Sequence, residues 1–441
     1  MAFIKSLIPN WLLKLIRPIY HGCISILAAV YNGNPSEKLI VIGITGTSGK
    51  STTAALLAEI LNRSGKKCGY ITTVNFFDGD TDYINKHGLS MPGGWLLQKQ
   101  LALMLKNNCK YAIVECTSEG LAQNRHWGIN FDVAVFTNLS RAHLEAHGSY
   151  TEYQQAKGEL FVALGKHKKK SFFPQKLIGV NFDEQISGYF FSFPSDKRFG
   201  ISFRNVKVSN ADKVFYCQSG EFGPPAKFTI LGTPFELNLL GNFNTKNAAL
   251  ATATANMLGV ELLDCVKALK NFHSIRGRME SVPNPLGFKI VVDYGCEPES
   301  FKNAAEATAQ LPHSRIIHVF GSTGGHRDVS KRFEFGKTSA QYVDQIIITN
   351  DDVYNSDPNE IANNIEQGIK SFQLRKPSYE IILDRRSAIA KALSTAQKND
   401  IVLITGKGSE QFLVLPGNKR IEWDDVKVVH EELAKISPSS L

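Results

Sequence analysis

The chain has 441 residues, of which 43% are hydrophobic and 21% charged; this excludes disordered, collagen-like and polytopic membrane proteins and indicates about two to four domains. Lys and Arg outnumber Asp and Glu by 50 to 41, but the net charge of +9 is spread along the whole chain. We therefore expect the protein to bind an anionic small substrate or an acidic membrane surface, and we do not expect it to bind nucleic acid.

The seven cysteines are widely spaced and form no C-x-x-C pair. This pattern argues against a disulfide framework or a structural zinc site. It favours a protein of the reducing cytoplasm.

Residues 1–37 form an amphipathic segment. Apolar side chains recur at helical spacing from residue 4 to residue 19, and a second apolar run covers residues 23–31. Three basic residues lie off the first stripe: Lys5, Lys14 and Arg17. The second run is too short for a bilayer span of roughly 20 residues. Two interpretations remain: a helix packed on the next domain, or an interfacial helix in which residues 1–31 contact the inner face of the membrane.

From residue 38 onward, apolar runs alternate with amphipathic segments, which predicts an α/β fold with parallel sheets. Strands are predicted at 39–44, 111–115 and 133–136, with a helix over 51–62 and a β-rich insertion over 170–240. After residue 277 further strands are predicted at 289–292, 316–320, 345–349, 380–383 and 401–405. We expect two α/β domains, a central one over 38–276 and a Rossmann-like one over 277–441.

A phosphate-binding loop is predicted between the first strand and the first helix of the central domain. Glycines in such a loop let backbone N–H groups turn toward phosphate oxygens at a helix N-terminus, where the helix dipole favours anions. The lysine would reach the β- and γ-phosphates, and the serine hydroxyl that follows it would bind Mg²⁺. The predicted ATP-binding residues of the loop are Gly46, Thr47, Ser48, Gly49, Lys50, Ser51 and Thr52.

Further residues suited to chemistry follow neighbouring strands. Glu115 ends one predicted strand, His143 follows another, and a Tyr153-x-x-x-Lys157 segment comes next. The carboxyl ends of parallel strands are where an open α/β sheet binds its ligand, so we expect these side chains near the phosphate loop.

In this combination the sequence resembles the Mur ligase family, and within it the tripeptide synthetases. The resemblance runs from about residue 39 to residue 433. Besides the phosphate loop, it includes Thr137-Asn-Leu, His143, Tyr153 with Lys157, Leu240-Gly-Asn-Phe-Asn-Thr-Lys-Asn247, Gly277-Arg-Met-Glu280, Val292-Asp-Tyr294, Phe320 to Asp328 with Lys331-Arg332, Asp384-Arg385, and Gly406-Lys-Gly-Ser-Glu410.

The resemblance implies an ATP-dependent ligase that activates a carboxylate as an acyl phosphate and joins it to an amine. Its expected role is to add an amino acid to a muramoyl-peptide precursor in peptidoglycan biosynthesis, with ATP and Mg²⁺. Catalytic roles are implied for Lys50, Glu115, His143 and Lys157. The implied metal ligands are Ser51, Glu115, His143 and a carbamylated Lys157, and the further ATP contacts are Asn247, Arg278 and Asp293.

The same resemblance implies ten substrate-binding residues. They are Ser90, Thr117, Gln123, Arg125, Arg332, Asp351, Asp352, Tyr354, Gly406 and Glu410. Tyr354 stands where ligases of this family that add diaminopimelate carry an arginine, which pairs bidentately with a carboxylate. A diamino acid such as lysine, or another amino acid altogether, is therefore expected rather than diaminopimelate.

The sequence departs from the family pattern elsewhere too. Only 42 residues precede Gly43, so we expect the usual UDP-binding domain to be lacking, and a lipid-linked acceptor is a hypothesis consistent with the amphipathic segment. Glu119, Ala142 and Cys296 replace the usual residues at three further positions. Two alternatives remain: another ligase of the superfamily, either folylpolyglutamate-like or a lipid-linked muramoyl amidation subunit, and a degenerate nucleotide-binding scaffold. The sequence leaves the oligomeric state open.

Overall fold

The computed structural model describes residues 10–86, 88–140, 148–325 and 328–436, with side chains from residue 16 onward. The chain divides into two compact units. Unit 1 lies within residues 1–220, 227–236 and 245–272, and unit 2 within 221–226, 237–244 and 273–441. In the part of the chain that is described, we find no helix of the length and apolar character needed to cross a membrane.

Unit 1 begins with helix α1, Asn10–Tyr31, which continues through Pro18. The sequence had suggested two separate apolar runs here, and the structure joins them into one helix. A short 3-10 turn, Pro35–Lys38, then leads into the first strand, β1, Ile40–Thr45, which is buried along its whole length.

An eleven-stranded sheet is the framework of unit 1, in the order β11-β10-β9-β8-β7-β6-β1-β5-β2-β3-β4. The strands after β1 are β2 Cys68–Ile71, β3 Asn75–Phe77, β4 Asp82–Ile84, β5 Tyr111–Glu115, β6 Val133–Phe136, β7 Leu177–Asn181, β8 Lys197–Ser202, β9 Lys213–Ser219, β10 Ala226–Ile230 and β11 Thr233–Leu237. β1 pairs in parallel with β5 and with β6. The strands of the predicted β-rich insertion thus extend the main sheet.

Helices cover this sheet because their apolar sides pack on buried strands. They are α2 Lys50–Arg63, α3 Gly94–Lys106, α4 Ser118–Ala122, α5 Tyr150–Lys166, α6 Ser187–Phe191, α7 Phe243–Met257 and α8 Leu262–Lys270. Since β1, β5 and β6 are parallel neighbours, the segments that follow them meet at one edge of the sheet.

Unit 2 has a six-stranded sheet in the order β12-β13-β17-β14-β15-β16 and a two-stranded ribbon. The strands are β12 Glu280–Ser281, β13 Lys289–Asp293, β14 Ile316–Phe320, β15 Gln345–Ile348, β16 Ser378–Ile381, β17 Ile401–Thr405, β18 Phe412–Leu415 and β19 Lys419–Glu422. The helices are α9 Pro298–Ala309, α10 Ser330–Tyr342, α11 Pro358–Ser371, α12 Arg385–Thr395 and α13 Asp425–Ile436. β13 to β17 pair in parallel, which confirms the predicted Rossmann-like arrangement.

Most of the predicted strands occur where the pattern placed them. The strand predicted at 380–383 is shifted by two residues, because β16 runs Ser378–Ile381. Three of its four side chains are exposed, so it lacks the continuous apolar run that marks a buried strand.

A buried ion cluster joins the amino ends of β1 and β6. Asp132, just before β6, accepts a hydrogen bond from Val41 N at 2.8 Å and pairs with Lys170 and Lys176. Lys170 Nζ also donates to Leu39 O at 2.7 Å and to Asn130 O at 2.9 Å. The cluster therefore fixes the register of the strand that carries the phosphate loop.

We expect Asp132→Asn to lower the free energy of unfolding by about 3–5 kcal/mol, because two buried lysines lose their counter-ion. Urea denaturation measures this. Lys169→Ala is the matched control: it removes the exposed pair with Asp196 and should cost at most about 1 kcal/mol. Equal, small losses in the two variants would contradict a stabilising role for the buried cluster.

Candidate active site

The phosphate loop, residues 46–49, connects β1 to α2 in a conformation that requires glycine at both ends. Gly49 has a left-handed backbone with φ +81°, and a Cβ there would lie 2.2 Å from Asn247 Oδ1. A Cβ on Gly46 would lie 1.9 Å from Thr137 Oγ1. The loop therefore leaves a cradle at the amino end of α2, which fits phosphate oxygens.

Thr137 and Asn138, directly after β6, fix the shape of this loop. Ser48 N donates to Asn138 Oδ1 at 2.8 Å, and Thr47 N donates to Asn138 O at 2.9 Å. Thr137 Oγ1 in turn donates to Ser48 O at 2.8 Å. The cradle is thus held by a neighbouring strand and does not depend on the loop alone.

Two lysines converge on one carbonyl oxygen of the loop. Lys50 Nζ donates to Gly46 O at 3.0 Å, and Lys157 Nζ, from α5, donates to the same oxygen at 2.8 Å. Lys157 is buried, and its Nζ lies 4.3 Å from the centre of the Tyr153 ring. Burial and the positive charge of Lys50 lower the pKa of Lys157 well below its usual value, although Glu115 acts in the opposite direction.

Glu115 lies at the carboxyl end of β5, beside the start of α2. Ser51 Oγ donates to Glu115 Oε2 at 2.7 Å. Thr73 N donates to the same oxygen at 2.9 Å, and Thr73 Oγ1 donates to Glu115 Oε1 at 2.8 Å. The carboxylate is therefore held from both sides, with its charge next to the phosphate cradle.

Thr73 is a site residue that the sequence interpretation missed. It follows β2, the parallel neighbour of β5, so its position after a buried strand was the available signal. Its hydroxyl also contacts Ser90 Oγ. Thr73 thus links Glu115 to a predicted substrate-binding residue.

Ser51 and Glu115 offer the hard oxygen ligands that Mg²⁺ prefers. Over residues 10–86, 88–140, 148–325 and 328–436, no group of three or more His, Cys, Asp or Glu side chains is suited to a metal ion. His143, the predicted imidazole ligand, lies outside these ranges. The chemistry of the two described oxygen donors fits a magnesium ion beside the phosphates.

The remaining predicted residues of unit 1 form a hydrogen-bonded group around α4. Thr117 caps this helix by accepting a hydrogen bond from Gly120 N at 3.3 Å. Arg125 donates to Gln123 Oε1 at 2.8 Å and to Met91 O at 2.7 Å, which ties it to the segment that carries Ser90. Arg125 Nε is buried without a hydrogen-bond partner, so the guanidinium has one N–H that no group of the protein accepts.

In unit 2, Arg278 and Asp293 lie together at the end of β13. Asp293 accepts hydrogen bonds from Met279 N and Gly295 N, both at 2.8 Å. The guanidinium of Arg278 stacks 4.4 Å from the centre of the Tyr294 ring. Burial raises the pKa of Asp293, and Arg278 partly offsets this effect. The two residues predicted to contact ATP in this unit are therefore neighbours.

A cluster of carboxylates surrounds the buried Lys407. Lys407 Nζ lies 2.8 Å from Asp352 Oδ1 and 3.9 Å from Asp351 Oδ1, and it also contacts Glu410. Burial alone would lower the pKa of Lys407, but these three carboxylates raise it above its usual value. A Cβ on Gly406 would lie 2.6 Å from Asp351 Oδ2. The structure thus brings four of the predicted amino-acid-binding residues together.

Arg332 and Tyr354 have other surroundings. Arg332 is buried, and its NH1 lies 3.1 Å from Asn364 Oδ1 and 3.4 Å from Glu360 Oε1, both on α11. Its Nε is buried without a hydrogen-bond partner. Tyr354 has a left-handed backbone with φ +51°.

The comparisons with known proteins agree with this geometry. The family models "Mur ligase middle domain" and "Mur ligase, glutamate ligase domain" match residues 44–255 and 277–408. A UDP-N-acetylmuramoyl-L-alanyl-D-glutamate–2,6-diaminopimelate ligase of Geobacillus kaustophilus is 34% identical over 91% of this chain and 80% of its own length. The enzyme of that name from Clostridioides difficile is 33% identical over 92% of this chain and 81% of its own length. The chain belongs to the Mur ligase family.

Solved structures of Mur ligases have the same fold as this chain. The structure of a 2,6-diaminopimelate ligase matches with a TM-score of 0.59 and 26% identity, covering 90% of this chain and 79% of that one. The structure of E. coli FolC in complex with DHPP and ADP matches with a TM-score of 0.64 and covers 95% of this chain and 93% of that one. Its sequence identity is 15%, so this likeness shows the fold alone. The Mur ligase described here is an ATP-dependent acid–amino-acid ligase, and Mur ligases in general depend on ATP and Mg²⁺.

We expect Thr73→Val to raise the KM for Mg²⁺ in ATP turnover about tenfold, because a hydrogen bond to a charged group contributes about 1.5 kcal/mol. Thr73→Ser keeps the hydroxyl and should restore the KM. A Thr73→Val enzyme with an unchanged Mg²⁺ dependence would show that Thr73 does not position Glu115.

Proposed function

We propose that this Mur ligase adds an amino acid to the free carboxylate of a muramoyl-peptide precursor in peptidoglycan assembly. The observation that carries the proposal is the convergence of Lys50, Lys157 and the Ser51–Glu115 pair around the phosphate loop. A carboxylate is a poor acyl donor, because it is anionic and lacks a leaving group. ATP supplies the activation, and the protein must hold two anions close together.

Each residue of this site has a distinct task in that reaction. Lys50 neutralises the phosphates at the amino end of α2, where the helix dipole adds to its charge. Ser51 and Glu115 would hold Mg²⁺, with the carboxylate oriented by Thr73. The half-buried Arg125 is suited to bind the acceptor peptide through a carboxylate or a carbonyl oxygen.

Lys157 is proposed to be carbamylated, with His143 as a further metal ligand. Carbamylation needs the neutral amine, which attacks CO₂ and loses a proton to give an anionic carbamate. The lowered pKa of Lys157 favours that neutral form, because burial and the nearby Lys50 both disfavour a second positive charge. The carbamate would replace repulsion from Lys50 by attraction and add an oxygen ligand near Glu115.

For the amino acid, the carboxylate cluster of unit 2 favours a substrate with a cationic side chain. Asp351, Asp352 and Glu410 lie around Lys407. Arg385 also acts on Asp351 and Asp352 and pairs with Asp425, so four carboxyl groups face two cations. Tyr354 cannot supply the charge-assisted fork that a second substrate carboxylate would need. The named relatives are diaminopimelate ligases, whereas these residues support a monocarboxylic diamino acid such as lysine.

Phosphate release from ATP, measured with UDP-MurNAc-L-Ala-D-Glu and separate amino acids, tests the proposal. We expect L-lysine to stimulate turnover at least about tenfold more than meso-diaminopimelate. Tyr354→Arg should shift the preference toward diaminopimelate, and Tyr354→Phe is the control that retains the ring. Lys50→Ala and Glu115→Ala should each abolish the stimulated turnover. Absence of turnover with every amino acid would favour a nucleotide-binding scaffold.

Chemical rescue tests the role of Lys157. Lys157→Ala should lose at least about a hundredfold in kcat, and short-chain carboxylic acids should restore part of it, because they can supply the missing anion. In the unmodified enzyme, activity in CO₂-depleted buffer should fall more steeply at low pH, since protonation removes the amine that carbamylation needs. Lack of rescue together with indifference to CO₂ would rule out the carbamate.

A further inference from the structure

The outer face of helix α1 is covered by large apolar side chains. They recur at every third or fourth position, which places them on one side of the helix: Ile16, Ile19, Tyr20, Cys23, Ile26, Leu27, Val30 and Tyr31. Leu27, Val30 and Ile19 are 65%, 63% and 62% exposed. A contiguous exposed apolar stripe of this length marks an interaction surface.

The inner face of α1 has the opposite character, because it is made of small residues. A Cβ on Gly22 would lie 2.5 Å from the ring of Trp127, and a Cβ on Gly94 of α3 would lie 1.9 Å from Ser25 Oγ. Ala28 and Ala29 are buried. The helix is thus packed closely on unit 1 through its small side chains, and its large apolar side chains point away. This is the reverse of a helix whose large residues serve the core of its own domain.

The charges around the stripe point to the chemistry of its partner. The first acidic residue of the chain is Glu37, so residues 1–36 contain no Asp or Glu. They contain three basic residues, Lys5, Lys14 and Arg17. At the other end of the helix, Tyr31 packs 5.0 Å from the half-exposed Trp95. An apolar stripe with basic residues near it in the sequence, and with aromatic rings at one end, is suited to an anionic lipid surface.

Helix α1 also contacts the segments that carry the predicted acceptor-binding residues. Ser25 Oγ donates to Arg125 O at 3.2 Å, and Asn124 Nδ2 donates to Pro18 O at 3.4 Å. Ser25 lies against Gly94, four residues after Ser90. A surface bound to the outer face of α1 therefore lies about one helix diameter, roughly 10 Å, from Arg125 and its neighbours.

We propose that α1 lies in the interface of an anionic bilayer, with its apolar stripe among the lipids and its small-residue face on unit 1. Because the inner face is held by packing and hydrogen bonds between Pro18 and Ala29, the helix binds as part of the folded unit. The predicted acceptor-binding residues of unit 1 are then held about one helix diameter from the membrane, where a substrate carried by a lipid would be concentrated. This last point rests on the function proposed above, whereas lipid binding itself does not.

Flotation of the full chain with vesicles tests the proposal without any need for turnover. The protein should float with vesicles of phosphatidylglycerol and phosphatidylcholine, and much less with phosphatidylcholine alone. Leu27→Glu with Val30→Glu should reduce the vesicle-bound fraction at least about tenfold, because it places two charges in the apolar stripe. Leu374→Glu is the matched control: this leucine is 92% exposed but lies in unit 2, and binding should not change.

Two further measurements keep the outcomes distinct. Circular dichroism melting should give the same Tm for the double variant and the unmodified chain, which shows that lost flotation is not lost folding. Light scattering without lipid should give the mass of one chain. A dimer that dissociates in the double variant, combined with no flotation of the unmodified chain, would assign the stripe to a second copy and overturn the proposal. If the chain binds anionic vesicles but is inactive with every amino acid, the membrane proposal is supported and the proposed reaction is contradicted.

Discussion

The whole site depends on the carbonyl oxygen of Gly46, which accepts hydrogen bonds from two lysines at once. Two ammonium groups bound to one oxygen repel each other, and Lys157 is buried, so water does little to weaken this repulsion. Burial removes the solvent that would stabilise its charge, so the amine of Lys157 is driven toward its neutral form. Lys50, at the amino end of α2, is only half-buried. The geometry thus gives two residues of the same type different surroundings, which is the basis of the two roles proposed for them.

Strand order is what brings the remaining groups to this oxygen. β1 lies between β5 and β6, so Glu115 and the Thr137–Asn138 pair emerge on either side of the phosphate loop. β2 adjoins β5 and contributes Thr73. None of these side chains is close to Lys50 in sequence. A parallel sheet collects them because each strand ends at the same edge.

The sequence predicted much of this arrangement because its signals are local or periodic. Buried parallel strands are uninterrupted apolar runs in the sequence. For this reason four strands occur where predicted: 111–115, 133–136, 316–320 and 401–405. Lys50 and Ser51 were predicted from the motif, and the fold confirms the parallel sheet that surrounds them. The side-chain roles themselves stay predictions until they are measured.

Other features depended on packing between distant segments, which a single sequence does not reveal. Thr73 carries no motif, and its contact with Glu115 arises only when β2 and β5 pair. The Asp132 cluster with Lys170 and Lys176 looks like ordinary surface charge in the sequence but is buried. Apolar periodicity identified α1 as amphipathic, yet it did not tell which face packs inward. Small residues at Gly22 and Ser25 decide that, through close contact with Trp127 and Gly94.

Two residues at which the sequence departs from the family pattern, Glu119 and Tyr354, lie beside residues predicted to bind substrate. Glu119 stands in the first turn of α4, and its charge acts on Arg125, whose pKa is lowered by burial and partly restored by this carboxylate. Tyr354 follows the Asp351–Asp352 pair. A phosphate-binding loop requires both its backbone shape and its charge, so we expect Gly46 and Lys50 to tolerate little change. Substrate recognition depends on the sum of charges in a pocket, and single substitutions such as Glu119 and Tyr354 can alter that sum while the sheet stays the same.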